Sequence, residues 1–235
     1  MNYSFAFQPI LNIDLGKVVS YEALIRGTQG ESASSVLALV PPNHLQRVDD
    51  MARCRAIVLA AQLGLRCNLN LNVLPRSLEN GGAFLQETFA TATAQGISLD
   101  RLVLEVTEEE LVKDYAALLR TLNECRALGI RLAIDDFGAG YAGLNMLAEF
   151  QPDLVKLDMA LIRRIEGHGP RQAIVRAVNQ ACLELGIEVL AEGVETEAEF
   201  SWCRRLGIAL FQGYLFGKPG FEKLPALTAR TAAAA

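Results

Sequence analysis

RLVLEVTEEELVKDYAALLRTLNECRALGIRLAID (101–135) contains the unit from which the rest of the chain is built. RLVLEV (101–106) and RLAID (131–135) are short apolar runs, the pattern of strands buried on both faces. Between them, DYAALLRTLNECRALG (114–129) repeats apolar residues at helical spacing and ends on Gly129, a natural helix stop. Strand, helix and strand in this order make a right-handed crossover between parallel neighbours. The alternation continues in both directions. CNLNLN (67–72), LVKLD (154–158), EVLAE (188–192) and ALFQGYLF (209–216) read as strands. DDMARCRAIVLAAQLG (49–64) and RQAIVRAVNQACLELG (171–186) read as helices, the second begun by Pro170 and stopped by Gly186. Leu-Gly recurs at Gly64, Gly129, Gly186 and Gly207, each followed closely by a strand.

The N-terminal segment follows another rule. SFAFQPILN (4–12) and KVVSYEALIR (17–26) are separated only by IDLG (13–16), too short for a parallel crossover, so they form an antiparallel hairpin. The chain then has eight strands, the first running against the other seven. The expected fold is α/β, a modified (β/α)8 barrel of the TIM type with its first strand antiparallel. An open doubly wound sheet is the alternative, weakened because no GxGxxG follows the first strand. The 235 residues suit one such domain, whose usual size is about 250. The domain is expected over 1–225, with a disordered tail over 226–235 ending in TARTAAAA.

A net charge of −5 argues against a protein held on DNA or RNA duplexes by a broad basic surface, but not against a small phosphate ligand, because metals reverse a site's sign. No apolar run reaches the roughly 18 residues of a membrane span. MNYSFAFQPILNIDLGK (1–17) lacks the basic and small-residue signals of a secretory leader. Cys54, Cys67, Cys125, Cys182 and Cys203 are scattered, and His44 and His168 are the two histidines, so a zinc site is not expected. Reduced thiols fit a cytoplasmic protein.

Ionisable residues occupy places where a barrel core belongs. Glu22, Asn72, Glu105, Asp135, Lys156, Glu192 and Gln212 fall at or near strand C-terminal ends, which in a parallel barrel open on one face. Any one of them alone reads equally well as a helix cap or a salt bridge. Together, Glu22, Glu105, Asp135, Asp136 and Glu192 bring five negative charges to one mouth, with Lys156 the lone strand-end cation. Two divalent ions and Lys156 balance that charge. Oxygen ligands without His or Cys suit Mg²⁺, Mn²⁺ or Ca²⁺. Such ion pairs serve in-line displacement at phosphorus. Glycoside hydrolysis needs only two of the carboxylates and an aromatic cleft, whereas Trp202 is the single tryptophan and lies in a helical pattern.

These residues sit in strings that resemble the EAL domain family: QPI (8–10), YEALIRG (21–27), LNVLPRSLE (71–79), LEVTEEE (104–110), AIDDFGAGYAGL (133–144), VKLD (155–158), AEGVET (191–196) and FQGYLFGKP (211–219). Their order and intervals cover nearly the whole chain. The resemblance implies a barrel with an antiparallel first strand. It implies hydrolysis of cyclic di-GMP to linear 5′-pGpG by a phosphodiesterase using two Mg²⁺ or Mn²⁺ ions, with Ca²⁺ binding and inhibiting. Glu22, Asn72, Glu105 and Asp135 resemble ligands of the first metal, Asp135 and Asp136 of the second, with Glu192 supporting the cluster. Lys156 resembles the lysine beside the attacking water; Gln8, Arg26 and Gln212, with Glu22 and Asp136, resemble contacts to the dinucleotide. Within CNLNLN either Asn70 or Asn72 offers the ligand amide, and PRSLE aligns with the family motif when Asn72 takes that place, leaving Asn70 one pleat deeper.

DDFGAGYAGL (135–144) resembles a catalytic loop given freedom by Gly138, Gly140 and Gly143, with Glu195 its implied anchor; a charge at a helix N-terminus is the other reading of Glu195. Two departures stand out. RGTQGESASSVLALVPP (26–42) is shorter than the usual segment and has Gly27 in place of an aromatic, which alters the outer substrate rim; and YAGL replaces YSSL. The resemblance also implies a homodimer around the helix after Tyr141, with Leu144, Met146 and Leu147 near the loop, and regulation by a partner or domain outside this chain. The alternative function is a catalytically silent cyclic di-GMP receptor or partner-binding module.

Overall fold

The computed structural model describes residues 2–74, 78, 85–107, 115–140 and 143–227, without the side chains of 115 and 143–146. The order is β1 (Tyr3–Asn12), β2 (Lys17–Gly27), α1 (Ala33–Leu37), α2 (Leu45–Gln62), β3 (Asn68–Asn72), α3 (Gln86–Ala94), β4 (Leu102–Thr107), α4 (Tyr115–Ala127) and β5 (Arg131–Phe137). There follow α5 (Gly143–Phe150), β6 (Leu154–Leu157), α6 (Met159–Ile162), α7 (Gly169–Leu185), β7 (Glu188–Ala191), α8 (Glu197–Arg205), β8 (Leu210–Phe211) and β9 (Gly220–Phe221). Strands β2 to β8 lie side by side and parallel, and β1 closes the ring, antiparallel to both β2 and β8. The expected barrel with a reversed first strand is the observed one. It forms because a short hairpin reverses the chain once and helical crossovers carry it forward thereafter.

The Leu-Gly stops behave as their chemistry requires: Gly64, Gly129, Gly186 and Gly207 have φ of +76°, +82°, +72° and +90°, the left-handed region where a Cβ is penalised. Pro170 lies in the first turn of α7, as expected.

The last strand departs from expectation. A run over 209–216 was indicated, but β8 stops at Phe211, and β1 completes its second edge with β9 instead. The cause is a close backbone approach. Gly213 adopts φ +158°, and a Cβ there would lie 2.0 Å from the Val194 carbonyl oxygen. The chain passes over the loop after β7, held by Val194 N donating to Gln212 O and Leu215 N to Val194 O, each 3.1 Å. It then returns to pair Ala6 with Phe221, and Tyr21 Oη donates to Pro225 O at 2.7 Å.

Two hydrophobic clusters result. The larger fills the layer between the barrel's outer face and its helices. The smaller, Ile10, Val103, Ala133, Leu154, Leu190 and Leu210, fills the barrel interior. Strand periodicity then positions the site. Two residues beyond each of Val103, Ala133, Leu154, Leu190 and Leu210, on the same inward face, stand Glu105, Asp135, Lys156, Glu192 and Gln212. On reversed β1, the inward partner of Ile10 towards the mouth is Gln8. An apolar plug thus supports a polar layer above it.

Candidate active site

Lys156 is the centre of the polar layer. Its side chain is 1% exposed, and Nζ lies 2.7 Å from Asp135 Oδ1, 2.8 Å from Glu192 Oε1, 2.9 Å from Glu105 Oε1 and 3.4 Å from Glu22 Oε2. Glu22 is held further by Gln212 Nε2, donating to Oε2 at 2.7 Å, and by Asn72 Nδ2, donating to Oε1 at 3.2 Å. Gln212 Nε2 also reaches Gln8 Oε1 at 3.3 Å, and Gln8 Nε2 donates to Gly217 O at 3.3 Å. Asn72, the last residue of β3, sits exposed at the mouth, while Asn70 is buried one pleat below it. Asn70 Nδ2 donates to Glu105 Oε1 at 2.7 Å, and Ser20 Oγ donates to Asn70 Oδ1.

The charges do not balance within the protein. Burial works to raise the Glu22 carboxyl, but Lys156 and the hydrogen bonds from Gln212 and Asn72 outweigh it and hold the group below its ordinary value. For Glu105, burial prevails over Lys156 and, with the charges of Glu22 and Asp135, lifts the carboxyl well above normal. Burial, then Asp135 and Glu22, lift Glu192 in the same way against Lys156. Burial, Asp135 and Asp158 push Asp136 up to about 6. Lys156 is raised well above its usual value because the surrounding carboxylates overcome the cost of burial. One ammonium among five carboxylates leaves the site short of positive charge.

The donor set fits divalent cations. Glu22, Glu105 and Asp135 each offer an oxygen within 4.8 Å of the others, and so do Asp135, Asp136 and Glu192, with Asp135 common to both groups. Among the described residues, Glu105 Oε2 is buried without a hydrogen-bond partner, and Asp135 Oδ1 has only its ion pair with Lys156, without hydrogen-bonding geometry. A buried carboxylate oxygen left unpaired is costly unless a cation meets it. Oxygen donors without imidazole or thiolate select hard ions. Asp136 has φ +51°, an uncommon conformation for a non-glycine residue, near the end of β5 where its register against β6 shifts between Ile134 and Phe137.

Other expected residues lie apart from this cluster. The Arg26 guanidinium folds back to donate to the Ile25 carbonyl at 2.7 Å. Glu195 forms a two-point ion pair with Arg163, at 2.7 and 2.9 Å, on the segment after β6. Glu199 caps α8 and receives the backbone N–H groups of Glu195, Thr196 and Arg164, which secures the same segment. Leu147, named with Leu144 and Met146 as apolar residues near the loop, is 3% exposed and packs into the outer core. Tyr141 and the side chains of Leu144 and Met146 fall outside the described residues. Gly27 fits its place because a Cβ would strike the Glu31 side chain, which folds over it. Ser20 was not singled out from the sequence, although its position two residues before Glu22 on an alternating strand places it on the same inward face.

Residues 2–219 match the EAL domain family. The chain belongs to the EAL domain family. Among curated relatives, this EAL domain is 31% identical over 228 residues to the blue light- and temperature-regulated antirepressor BluF of Escherichia coli, covering 97% of the chain and 57% of BluF. It is 31% identical over 225 residues to the cyclic di-GMP phosphodiesterase PA2567 of Pseudomonas aeruginosa, covering 92% of the chain and 38% of that protein. The chain therefore spans about half, or less, of these relatives. Among solved structures, a standalone EAL protein of Vibrio cholerae in its cyclic di-GMP-bound form superposes with a TM-score of 0.94 at 41% identity, covering 98% of each chain. Klebsiella pneumoniae BlrP1 with calcium and cyclic di-GMP gives 0.91 at 39% identity, covering 97% of this chain and 58% of that one. Its manganese complex gives 0.89 at 40%, with 94% and 57% covered. Among the described residues, no helix is long and apolar enough to cross a membrane.

Proposed function

We propose that this EAL domain is a metal-dependent phosphodiesterase that hydrolyses cyclic di-GMP to linear 5′-pGpG. The observation that carries the reading is the ring of Glu22, Glu105, Asp135 and Glu192 about Lys156 at the barrel mouth, with Glu105 Oε2 unpaired among the described residues. The cyclic di-GMP-bound neighbours, one of which carries calcium or manganese, support it. In this reading Glu22, Asn72, Glu105 and Asp135 hold one Mg²⁺ or Mn²⁺, and Asp135 and Asp136 hold a second supported by Glu192. Bound there, the ions supply a water of lowered pKa and neutralise phosphate charge.

The chain's own groups do the rest. Water adds to phosphorus, the bond to the ring's 3′ oxygen breaks, and that oxygen leaves as a hydroxyl, so the product keeps a 5′-phosphate. Lys156 Nζ, fixed by its carboxylates, orients the water in line and stabilises developing hydroxide. Gln8 and Gln212, tied to each other and to Glu22, line the approach to the scissile phosphate. Arg26 swings from the Ile25 carbonyl to pair a phosphate with two parallel N–H bonds. Glu195, by holding Arg163, anchors the glycine-containing loop after β5 through the segment after β6, whose Leu161 packs against Gly138. We place the protein in the cytoplasm as a homodimer, with its regulatory input in a partner or another domain.

The test is product chromatography after incubating the protein with cyclic di-GMP and Mg²⁺ or Mn²⁺. Linear pGpG is expected, absent with chelator. Tight binding without turnover under either metal would instead support a catalytically silent cyclic di-GMP receptor, and neither binding nor turnover a partner-binding module, the reading that the likeness to an antirepressor favours.

A further inference from the structure

We infer that Asn70, held by Ser20, is a positioning residue that presents Glu105 to a divalent cation through one chosen oxygen. The inference rests on the metal-site reading above and extends it below the ligands. Asn70 is 1% exposed and Glu105 0%, so neither side chain exchanges partners with bulk water. Glu105 Oε1 receives Asn70 Nδ2 at 2.7 Å and faces Lys156 Nζ at 2.9 Å, while Oε2 has no hydrogen-bond partner among the described residues. The carboxylate is therefore pinned by one oxygen and left open at the other.

The pin works because the amide cannot turn over. Ser20 Oγ donates to Asn70 Oδ1, which leaves Nδ2 as the atom facing Glu105. A flipped amide would set its carbonyl oxygen against a carboxylate oxygen and lose the bond to Glu105, and Ser20 Oγ would have to turn from donor to acceptor. Register makes the relay possible: Ser20 and Glu22 share the inward face of β2, Asn70 and Asn72 that of β3, and Asn72 pairs with Glu105 across to β4. The tier of Ser20 and Asn70 lies just below the ligands and also lines a cavity of about 240 Å³ at the opposite end of the barrel. Partners of this kind, which orient ligands without touching the metal, typically govern affinity by about 10–100-fold.

The experiment measures Mn²⁺ binding by the electron paramagnetic resonance signal of free Mn²⁺, alongside thermal melting in chelator. The double variant Ser20→Ala, Asn70→Leu keeps the packed volume and removes the whole relay, so no buried hydroxyl is orphaned. We expect Mn²⁺ affinity to fall about tenfold or more, with the melting midpoint in chelator within a few degrees of the parent. Ser20→Ala alone, a change too small to unfold the barrel, should weaken Mn²⁺ about threefold by freeing the amide, within the lower end of such effects. If the folded double variant binds Mn²⁺ within twofold of the parent, the inference is overturned. Should the double variant fail to fold, an unchanged affinity in Ser20→Ala overturns it. If the parent itself binds no Mn²⁺, the metal-site reading fails first, and that outcome is seen before any variant is made.

Discussion

Replacing Lys156 with Ala perturbs the site at its centre and separates two roles of one ammonium. Nζ is itself buried and lies between 2.7 and 3.4 Å from four carboxylates, three of them buried and Glu192 half-buried. At an effective dielectric of about 20, each such contact is worth on the order of 5 kcal/mol, most of it offset by the cost of burying the charges. Removing one partner from a buried ionic cluster costs about 3–5 kcal/mol, because the remaining charges stay uncompensated. In a chain of 235 residues this lowers the melting midpoint by roughly 6–15 °C in chelator. Saturating Mn²⁺ should recover much of that loss, since an ion at about 100 times its Kd contributes about 2.7 kcal/mol to the folded state. The metal-induced rise should be larger in Lys156→Ala than in the parent, because without the competing ammonium the carboxylates hold Mn²⁺ more tightly and the same concentration is a larger multiple of Kd. Turnover behaves differently: kcat should drop about 10²-fold or more even with metal present, as when one positioned electrostatic group is lost. Cyclic di-GMP affinity should stay within about tenfold, because Arg26 and the cations carry most of it. Glu22→Ala, by contrast, should lose metal affinity and turnover together. Melting in chelator and in Mn²⁺, calorimetry with cyclic di-GMP and product chromatography on the same preparations read all of these. A variant that melts within 2 °C of the parent in chelator, or turns over at near parental rate, would refute the reasoning for stability or for catalysis respectively.

Mg²⁺ or Mn²⁺ should raise the parent's melting midpoint above its value in chelator, and Ca²⁺ should bind yet support little hydrolysis, since its larger and looser coordination places water and phosphate poorly; equal midpoints across millimolar metal would count against a carboxylate metal cluster. Gly213→Ala should cost several kcal/mol, about the cost of a side chain where φ and space both forbid it, because its Cβ would lie 2.0 Å from Val194 O; a melt within a degree of the parent would contradict the close approach. Burial pushes the Cys125 and Cys203 thiols up to about 12 and Cys182 up to about 11. Burial raises the half-buried Cys67 thiol as well, so a thiol reagent at pH 8 should modify half-buried Cys54 first in native protein, Cys67 more slowly, and the other three only after unfolding, read by peptide mass spectrometry. The homodimer should appear by light scattering at micromolar concentration; a monomer alone would exclude it.

Much of this protein was legible along the chain. Repeated apolar runs and helical stretches, each closed by Leu-Gly, specify parallel strands with crossovers, and a four-residue IDLG linker permits only a hairpin. Those features depend on neighbours in sequence, so sequence reveals them. The convergence of Glu22, Glu105, Asp135, Lys156, Glu192 and Gln212 was legible too, because strand ends in a parallel barrel share one face and side chains alternate with period two.

Contacts between strands distant in sequence were decided only by the closed barrel. That Lys156 meets four carboxylates follows from how far each strand is staggered against the next, a quantity no single segment encodes. The division of the last strand into β8 and β9 arises from Gly213 passing against Val194, a contact made after both segments are in place. Leu147 reads along the chain only as an apolar residue near a loop, and the helix docks with that position inward. The surroundings of Asn70 and Asn72 likewise turned on three dimensions. Both share a strand face, and only the depth of the neighbouring strands sets Asn72 against Glu22 at the mouth and Asn70 beneath Glu105. Local chemistry names the residues that face inward, whereas the shear of a closed sheet decides which of them touch.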